Sequence, residues 1–290
     1  MTGYLADDES SPVHAPGRND VQGEGSLYSD PLAALSIDQV LCERFVVRSL
    51  AKRGGMGAIF RGLDLESGED VAIKIVGMFG STARDRFRRE ARILEELSHE
   101  GVVRHLAHGT TADGVLYLVM EWLRGEDLAE RLAREPLTVA DSFRVVRGVC
   151  EALDTAHARG IVHRDIKPAN LFLRDRDPGS VKLLDFGVAR LNESMPTISG
   201  TSSLIGTVGY MAPEQAMCED DIDARADVFA MGCVLYECLT GVAPFTSAHP
   251  VGVLAKVLRE DPVRPSEMGR DIDPRVDALV AKLKDLGVTA

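Results

Sequence analysis

The chain has 290 residues, 45% of them hydrophobic, and a formal net charge of −12. This length fits one large domain or two lobes, and the hydrophobic share is enough for a sizeable core. The acidic balance argues against a broad basic face, so no nucleic-acid partner is predicted.

The first 43 residues hold eight acidic side chains and one arginine, with few aromatic or β-branched residues. Such a segment buries too little apolar surface to stay folded, so residues 1–43 are predicted to be a disordered acidic tail. No basic and apolar leader opens the chain, and the longest apolar run, 228–236, is far shorter than the ~20 residues of a membrane span. We therefore expect a cytoplasmic protein with no membrane segment in this chain.

Short β-rich runs follow the tail, at residues 44–50, 58–65 and 70–77, and the last two flank the turn-forming sequence ESGE. Residues 82–97 have a helical pattern, and residues 115–123 predict another strand. The apolar face of that helix carries Phe87, Ala91, Leu94 and Leu97.

Helices dominate after Gly125. Residues 137–160 predict a helix ending at Gly160, and residues 224–241 predict a buried helix, apolar on nearly all faces, ending at Gly241. The stripe expected on the first of these helices is Val139, Phe143, Val146, Cys150, Leu153 and His157. Strands first and helices second indicate an α+β protein, with an N-lobe at about 44–121 and a C-lobe at about 125–290.

The five cysteines are an odd number with neither a C-x-x-C pair nor a metal-ligand spacing. This pattern favours buried free thiols in a reducing compartment over disulfides or a zinc site.

The stretch AKRGGMGAIF, residues 51–60, places glycines between two predicted strands. Such a turn can fold over phosphates, because its backbone N–H groups are not covered by side chains. Lys74 follows on the next strand, where its ammonium can meet two phosphate oxygens or, alternatively, is simply solvated. Glu90, in the helix at 82–97, is the natural partner of Lys74 when no nucleotide is bound.

The stretch HRDIKPAN, residues 163–170, combines three chemically useful side chains. Asp165 can accept a hydroxyl proton, Lys167 can neutralise a transferred phosphoryl group, and Asn170 offers an oxygen to a hard cation. The alternative interpretation is a polar turn after Gly160.

Two further motifs follow in order. LLDFG, residues 183–187, delivers Asp185 to the end of a strand, where it can chelate Mg²⁺, while Phe186 packs inward. GTVGYMAPE, residues 206–214, closes a segment rich in serine and threonine.

The set VAIK, HRDIKPAN, DFG and APE resembles the eukaryotic-like (Hanks-type) bacterial serine/threonine protein kinase family over residues 44–285. The resemblance implies a bilobal protein-kinase-like fold, with an antiparallel β-sheet and one main helix in the N-terminal lobe and a mostly helical C-terminal lobe. It implies ATP and Mg²⁺ as cofactors and protein substrates with Ser/Thr acceptors.

The resemblance also assigns site residues. Asp165 is the expected catalytic base, assisted by Lys167 and by Thr207, which bridges the two and favours a serine or threonine acceptor; Asn170 and Asp185 are the expected metal ligands. Met120 holds the gatekeeper position, and the Glu121 carbonyl and Leu123 N–H are expected to read the adenine edge. The expected nucleotide-binding set is Ala51, Lys52, Gly54, Gly55, Gly57, Ile59, Ala72, Lys74, Glu90, Met120, Glu121 and Leu123.

The chain departs from the family pattern at two points. Lys52 stands where the first glycine of G-x-G-x-x-G is expected, which predicts weakened nucleotide binding. No arginine follows Arg275 to pair with Glu214 of the APE motif, so the C-terminal end is expected to be incomplete and the helical lobe only marginally stable.

Arg164, beside the catalytic aspartate, is expected to bind a phosphate on the activation segment. Transient self-association would allow autophosphorylation, although the segment is alternatively a flexible loop without a regulatory role. Two other functions stay open: a nucleotide-binding pseudokinase, and a small-molecule phosphotransferase, against which the GTVGYMAPE platform argues. The candidate phosphate acceptors are Thr197, Ser199, Thr201, Ser202 and Ser203.

Overall fold

A computed structural model describes residues 35–54, 57–76, 87, 91–111, 114–186, 208–219, 221–268 and 272–286. The N-terminal lobe is a six-stranded antiparallel sheet in the order β1-β2-β3-β4-β6-β5. Helix α1, at residues 91–96, packs on it. Its strands are β1 (Val40–Leu41), β2 (Phe45–Gly54), β3 (Gly57–Asp64), β4 (Asp70–Val76), β5 (His105–Thr110) and β6 (Leu116–Glu121). The predicted strands β2, β3, β4 and β6 are confirmed.

The sheet buries both of its faces, in two separate clusters. Alternate residues of β3, β4 and β6, among them Phe60, Ile73 and Val119, form one apolar cluster. On the other face Leu118 and Met120 pack against α1, in the cluster that continues into the rest of the protein. The apolar face predicted for this helix is confirmed, because Phe87, Ala91, Leu94 and Leu97 are all buried there.

The C-terminal lobe begins at β7 and is mostly helical. A short antiparallel sheet, β7-β8-β9, lies beside its first helices. Strand β9 also pairs with residues 101–103. The Val103 N–H donates to the Leu183 carbonyl, and the Leu183 N–H donates to the Gly101 carbonyl. Its elements are β7 (Gly125–Asp127), α2 (Leu128–Leu132), α3 (Val139–His157), β8 (Leu171–Arg174), β9 (Val181–Leu183), α4 (Pro213–Ala216), α5 (Arg225–Thr240), α6 (Pro250–Arg259) and α7 (Pro274–Leu286).

Helix α5 is the buried centre of this lobe, as its all-round apolar sequence predicted. Its residues are buried on every side, and it ends where Gly241 adopts a φ of 83°, a left-handed conformation that favours glycine. Helix α3 packs against it.

The buried face predicted for α3 was wrong by about one residue for most of its members, although Leu153 is buried as predicted. Cys150 is exposed, and Val139, Phe143 and Val146 are only partly buried, against the smaller cluster around α7. The α3 face that is buried includes the small residues Ser142, Val145, Val149, Ala152 and Ala156, which allow the α3 and α5 backbones to approach closely. The helix itself ends at His157, three residues before the predicted Gly160.

The cysteine prediction needs one correction. All five thiols are free, but only Cys233 and Cys238 are buried, whereas Cys42, Cys150 and Cys218 are exposed. In the part of the chain that the structure describes, no helix is both long and apolar enough to cross a membrane.

Candidate active site

Four of the predicted nucleotide-binding side chains share one face of the N-terminal sheet. Strand pairing sets Ile59 opposite Lys74, and Ala72 opposite Met120. Because side chains two residues apart on a strand point the same way, these four project from the same side of the sheet. Lys74 is therefore brought beside the apolar positions expected to line the adenine.

The catalytic-loop motif folds so that Asp165 sits among its predicted partners. Lys167 Nζ lies 2.9 Å from Asp165 Oδ2, and the Asn170 amide donates to the same oxygen at 3.0 Å. A 3₁₀ turn at Pro168–Asn170 returns the chain, and the Asn170 amide also donates to the Asp165 backbone carbonyl at 2.7 Å. Since its amide nitrogen is used in this way, Asn170 keeps Oδ1 as its remaining side-chain acceptor.

Asp185 follows the end of β9, where its sequence placed it. Its Oδ1 lies 2.7 Å from Lys74 Nζ, so the ion pair joins the two lobes. Burial alone would raise the pKa of Asp185, but Lys74, and then Lys167, outweigh it and lower that pKa. The backbone of Asp185 has a φ of 45°, an unfavourable conformation for a non-glycine residue that is often found at functional sites.

His163 ties the catalytic loop to the segment that carries Asp185. Its Nε2 donates to the Leu184 carbonyl at 2.9 Å, and its Nδ1 accepts from the Asp165 N–H at 3.2 Å. Only the neutral tautomer with the proton on Nε2 meets both requirements. The ring also packs on Phe186 at 4.7 Å between centroids, and Phe186 is buried, as predicted.

A buried carboxylate that the sequence did not reveal anchors the catalytic loop. Asp227, in the first turn of α5, accepts backbone N–H groups of His163 and Arg164, each at 2.8 Å. His157 at the end of α3 also contacts it through Nε2 at 2.8 Å. The available signal was an aspartate in the first turn of a mostly apolar helix, because a buried charge requires polar partners.

The glycine-rich turn joins β2 to β3 with Gly54 paired to Gly57. Gly57 has a φ of 151°, which a residue with a side chain rarely adopts. The conformation of Gly57 therefore suits a close approach of the backbone at the position predicted to cover phosphates.

Lys52 makes a contact that the sequence did not predict. Its Nζ lies 2.7 Å from Asp127 Oδ2 and 3.6 Å from Glu130 Oε1. Asp127 also caps α2 by accepting the Glu130 N–H at 2.8 Å, and its side chain is only 6% exposed. Burial acts to lower the pKa of Lys52, but the Asp127 carboxylate outweighs it and the pKa is raised. The residue that replaces a glycine thus links the glycine-rich loop to the C-terminal lobe.

Side-chain contacts hold residues 121–123, which connect the two lobes, in place. The Glu121 carboxylate accepts the Arg104 backbone N–H at 2.8 Å and pairs with Lys182 at 2.5 Å. Trp122 lies beneath the Arg61 guanidinium, 5.6 Å from its ring centroid, and Leu123 packs on the main core. Because its side chain is held in this way, Glu121 can contact a ligand only through its backbone groups. Recognition of adenine by Glu121 stays a prediction.

Glu214 is buried, with 4% exposure, and its Oε2 has no hydrogen-bond partner among the described residues. Burial, more than any other influence, raises the pKa of this carboxyl. Several other predicted site residues lie outside the described residues: Gly55, Glu90, Thr207 and the five candidate phosphate acceptors at 197–203.

Comparison with known proteins identifies the protein kinase fold first and a bacterial branch of that family second. The family model for the protein kinase domain matches residues 47–286. The solved structure of Rad53 1–466 in complex with AMP-PNP matches 84% of this chain and 61% of that one, with a TM-score of 0.68 and 25% identity. The two-lobed fold with an antiparallel sheet lobe and a helical lobe is therefore that of a protein kinase.

Similar curated proteins include bacterial serine/threonine kinases. The serine/threonine-protein kinase PknB of Mycolicibacterium smegmatis is 38% identical over 258 residues, which cover 86% of this chain and 40% of that protein. The probable serine/threonine-protein kinase PknB of Corynebacterium glutamicum is 38% identical over 253 residues, 83% of this chain and 39% of that protein. The chain spans about two fifths of the length of these curated relatives. It belongs to the Hanks-type bacterial serine/threonine protein kinase family.

Proposed function

We propose that this chain is a cytoplasmic serine/threonine protein kinase, which transfers the γ-phosphoryl group of ATP to serine or threonine hydroxyls of proteins. The observation that carries the proposal is the Lys74–Asp185 ion pair and its link to the catalytic loop. His163 makes that link, by bonding both the Leu184 carbonyl and the Asp165 N–H. Kinase catalysis rests on positioning and electrostatics, and these side chains supply both without covalent chemistry by the protein.

Asp165 is the proposed base for the acceptor hydroxyl. The cation of Lys167 and the amide of Asn170 converge on its Oδ2, which orients the carboxylate. Lys167 is also close enough to neutralise charge on the phosphoryl group as it is transferred.

Asn170 and Asp185 are the proposed ligands of Mg²⁺. The donor set fits this cation, since Mg²⁺ prefers oxygen and the two residues offer an amide oxygen and a carboxylate kept ionised by its neighbours. When bound, Mg²⁺ neutralises phosphate charge and helps align the ATP. Lys74, now paired with Asp185, is proposed to bind phosphate oxygens in the same place.

Autophosphorylation measured with Mg²⁺ and labelled ATP tests the proposal directly. Natural chain, Asp165→Asn and the matched control Asp175→Asn would be compared, since Asp175 is an exposed aspartate in the loop after β8. We expect label in the natural chain and the control, at serine or threonine within 197–207, and none in Asp165→Asn. Such a result would also support transient self-association.

A second measurement separates the active kinase from the pseudokinase. If no chain incorporates label but ATP still raises the melting temperature, the chain binds nucleotide without turnover and the proposal is wrong. Equal label in Asp165→Asn and the natural chain would refute the role of Asp165.

A further inference from the structure

Three side chains that commonly bind metals meet where α1 crosses β5, away from the active-site cluster. Glu95 belongs to α1, and His105 and His108 belong to β5. One ligand atom from each lies within 4.8 Å of the other two. His108 Nδ1 is 3.3 Å from Glu95 Oε1, and the two imidazole centroids are 5.3 Å apart.

The two imidazoles have nitrogens that the protein does not satisfy. His105 Nε2 and His108 Nδ1 are both shielded from solvent, and neither makes a hydrogen bond in the described part of the chain, since the 3.3 Å contact of His108 Nδ1 with Glu95 Oε1 lacks hydrogen-bond geometry. Phe87 packs edge-on against His108 and adds apolar surroundings. Buried polar atoms without partners are destabilising, so two of them facing one carboxylate indicate a missing ligand.

We propose that Glu95, His105 and His108 bind a divalent transition-metal ion, with Zn²⁺ as the best match. Two imidazoles and one carboxylate are a known zinc ligand set, and water completes the tetrahedron. Mg²⁺ and Ca²⁺ are poor matches, because they prefer oxygen ligands throughout.

The site needs only a small adjustment to close around the ion. Bonds of about 2.0–2.2 Å to zinc bring tetrahedral ligand atoms to about 3.4 Å from one another. Glu95 is 49% exposed and His108 28% exposed, so the cluster lies near the surface rather than deep in the core. The bound ion would fasten α1 to β5 at His105, which is paired in register with Met120.

Zinc binding to the chelator-stripped chain tests the assignment. Competition against a chromophoric zinc chelator, with excess Mg²⁺ present, would compare the natural chain with Glu95→Gln and His108→Gln. Glu96→Gln and His249→Gln are matched controls, since both residues are exposed and outside the cluster. Glu95→Gln alters an exposed side chain, so it tests the site without threatening the fold.

We expect one ion per chain, with affinity unchanged in the controls and reduced at least about tenfold in both cluster variants. A hundredfold excess of Zn²⁺ over its dissociation constant should raise the natural chain's melting temperature by about 5–10 °C. Absence of binding, or equal affinity in Glu95→Gln and Glu96→Gln, would overturn the proposal. So would a Co²⁺ complex whose absorption shows thiolate coordination, because the ion would then be held by cysteine.

Discussion

Replacing Glu214 with glutamine should stabilise the 290-residue protein at neutral pH. Glu214 is buried, its Oε2 lacks a partner among the described residues, and burial raises its pKa. Because the folded state holds the proton more tightly than the unfolded state does, ionisation at neutral pH works against folding. Glutamine keeps the size of the side chain and removes the charge.

The size of the effect follows from what the carboxylate lacks. Leaving a buried polar group unsatisfied costs about 1–3 kcal/mol, and glutamine still has an amide nitrogen to satisfy. We therefore expect a gain of about 1 kcal/mol, or roughly 2–4 °C in melting temperature for a domain of this size.

Thermal denaturation as a function of pH is the assay. The penalty is absent below the unfolded pKa of about 4.3 and grows as pH rises through the raised folded pKa, so the advantage of glutamine should be largest at pH 7 and vanish near pH 4. Glu151→Gln is the control, since that exposed glutamate pairs with Arg147 along α3 and should change stability by less than about 0.5 kcal/mol. A lower melting temperature for Glu214→Gln at pH 7 would refute the reasoning.

Three further substitutions probe the site. Asp227→Asn should destabilise the chain by about 2–4 kcal/mol, since an amide cannot accept two opposed N–H groups as a carboxylate does; an unchanged melting temperature would contradict this. Lys52→Gly removes the pair with Asp127 and restores the glycine that the family pattern has at this position, and calorimetry should show ATP binding up to about fivefold tighter; unchanged or weaker binding would count against it. Lys74→Met deprives both Asp185 and ATP of a cation, and kcat/KM for a peptide should fall about 10²-fold or more; near-normal turnover would exclude the proposed phosphate contact.

Helices and strands were predicted best where burial gives the apolar residues a regular spacing in the sequence. Strands β3 and β4 alternate because one set of their side chains is in the core, and α5 is apolar all round because it is enclosed. Strand β5 was missed because its residues are half-buried and two of its six are histidines; hydrogen bonds to β6, rather than an apolar face, define it.

The site was predictable where its residues are close in sequence. Asp165, Lys167 and Asn170 form one motif, and the structure brings them into direct contact. Asp227 lies 63 residues beyond the Arg164 N–H that it accepts, so only the folded chain shows the connection. Lys52 and Asp127 are likewise 75 residues apart.

Asp227 supports the catalytic loop through backbone hydrogen bonds, so the side chains of the supported residues remain available for other contacts. Asp227 holds His163 and Arg164 through their backbone N–H groups, which every residue except proline possesses. The His163 ring is thereby free to contact Leu184 and Phe186, and the Arg164 guanidinium to reach the Ile222 carbonyl. A substitution of either side chain by any residue except proline therefore leaves both hydrogen bonds to Asp227 possible.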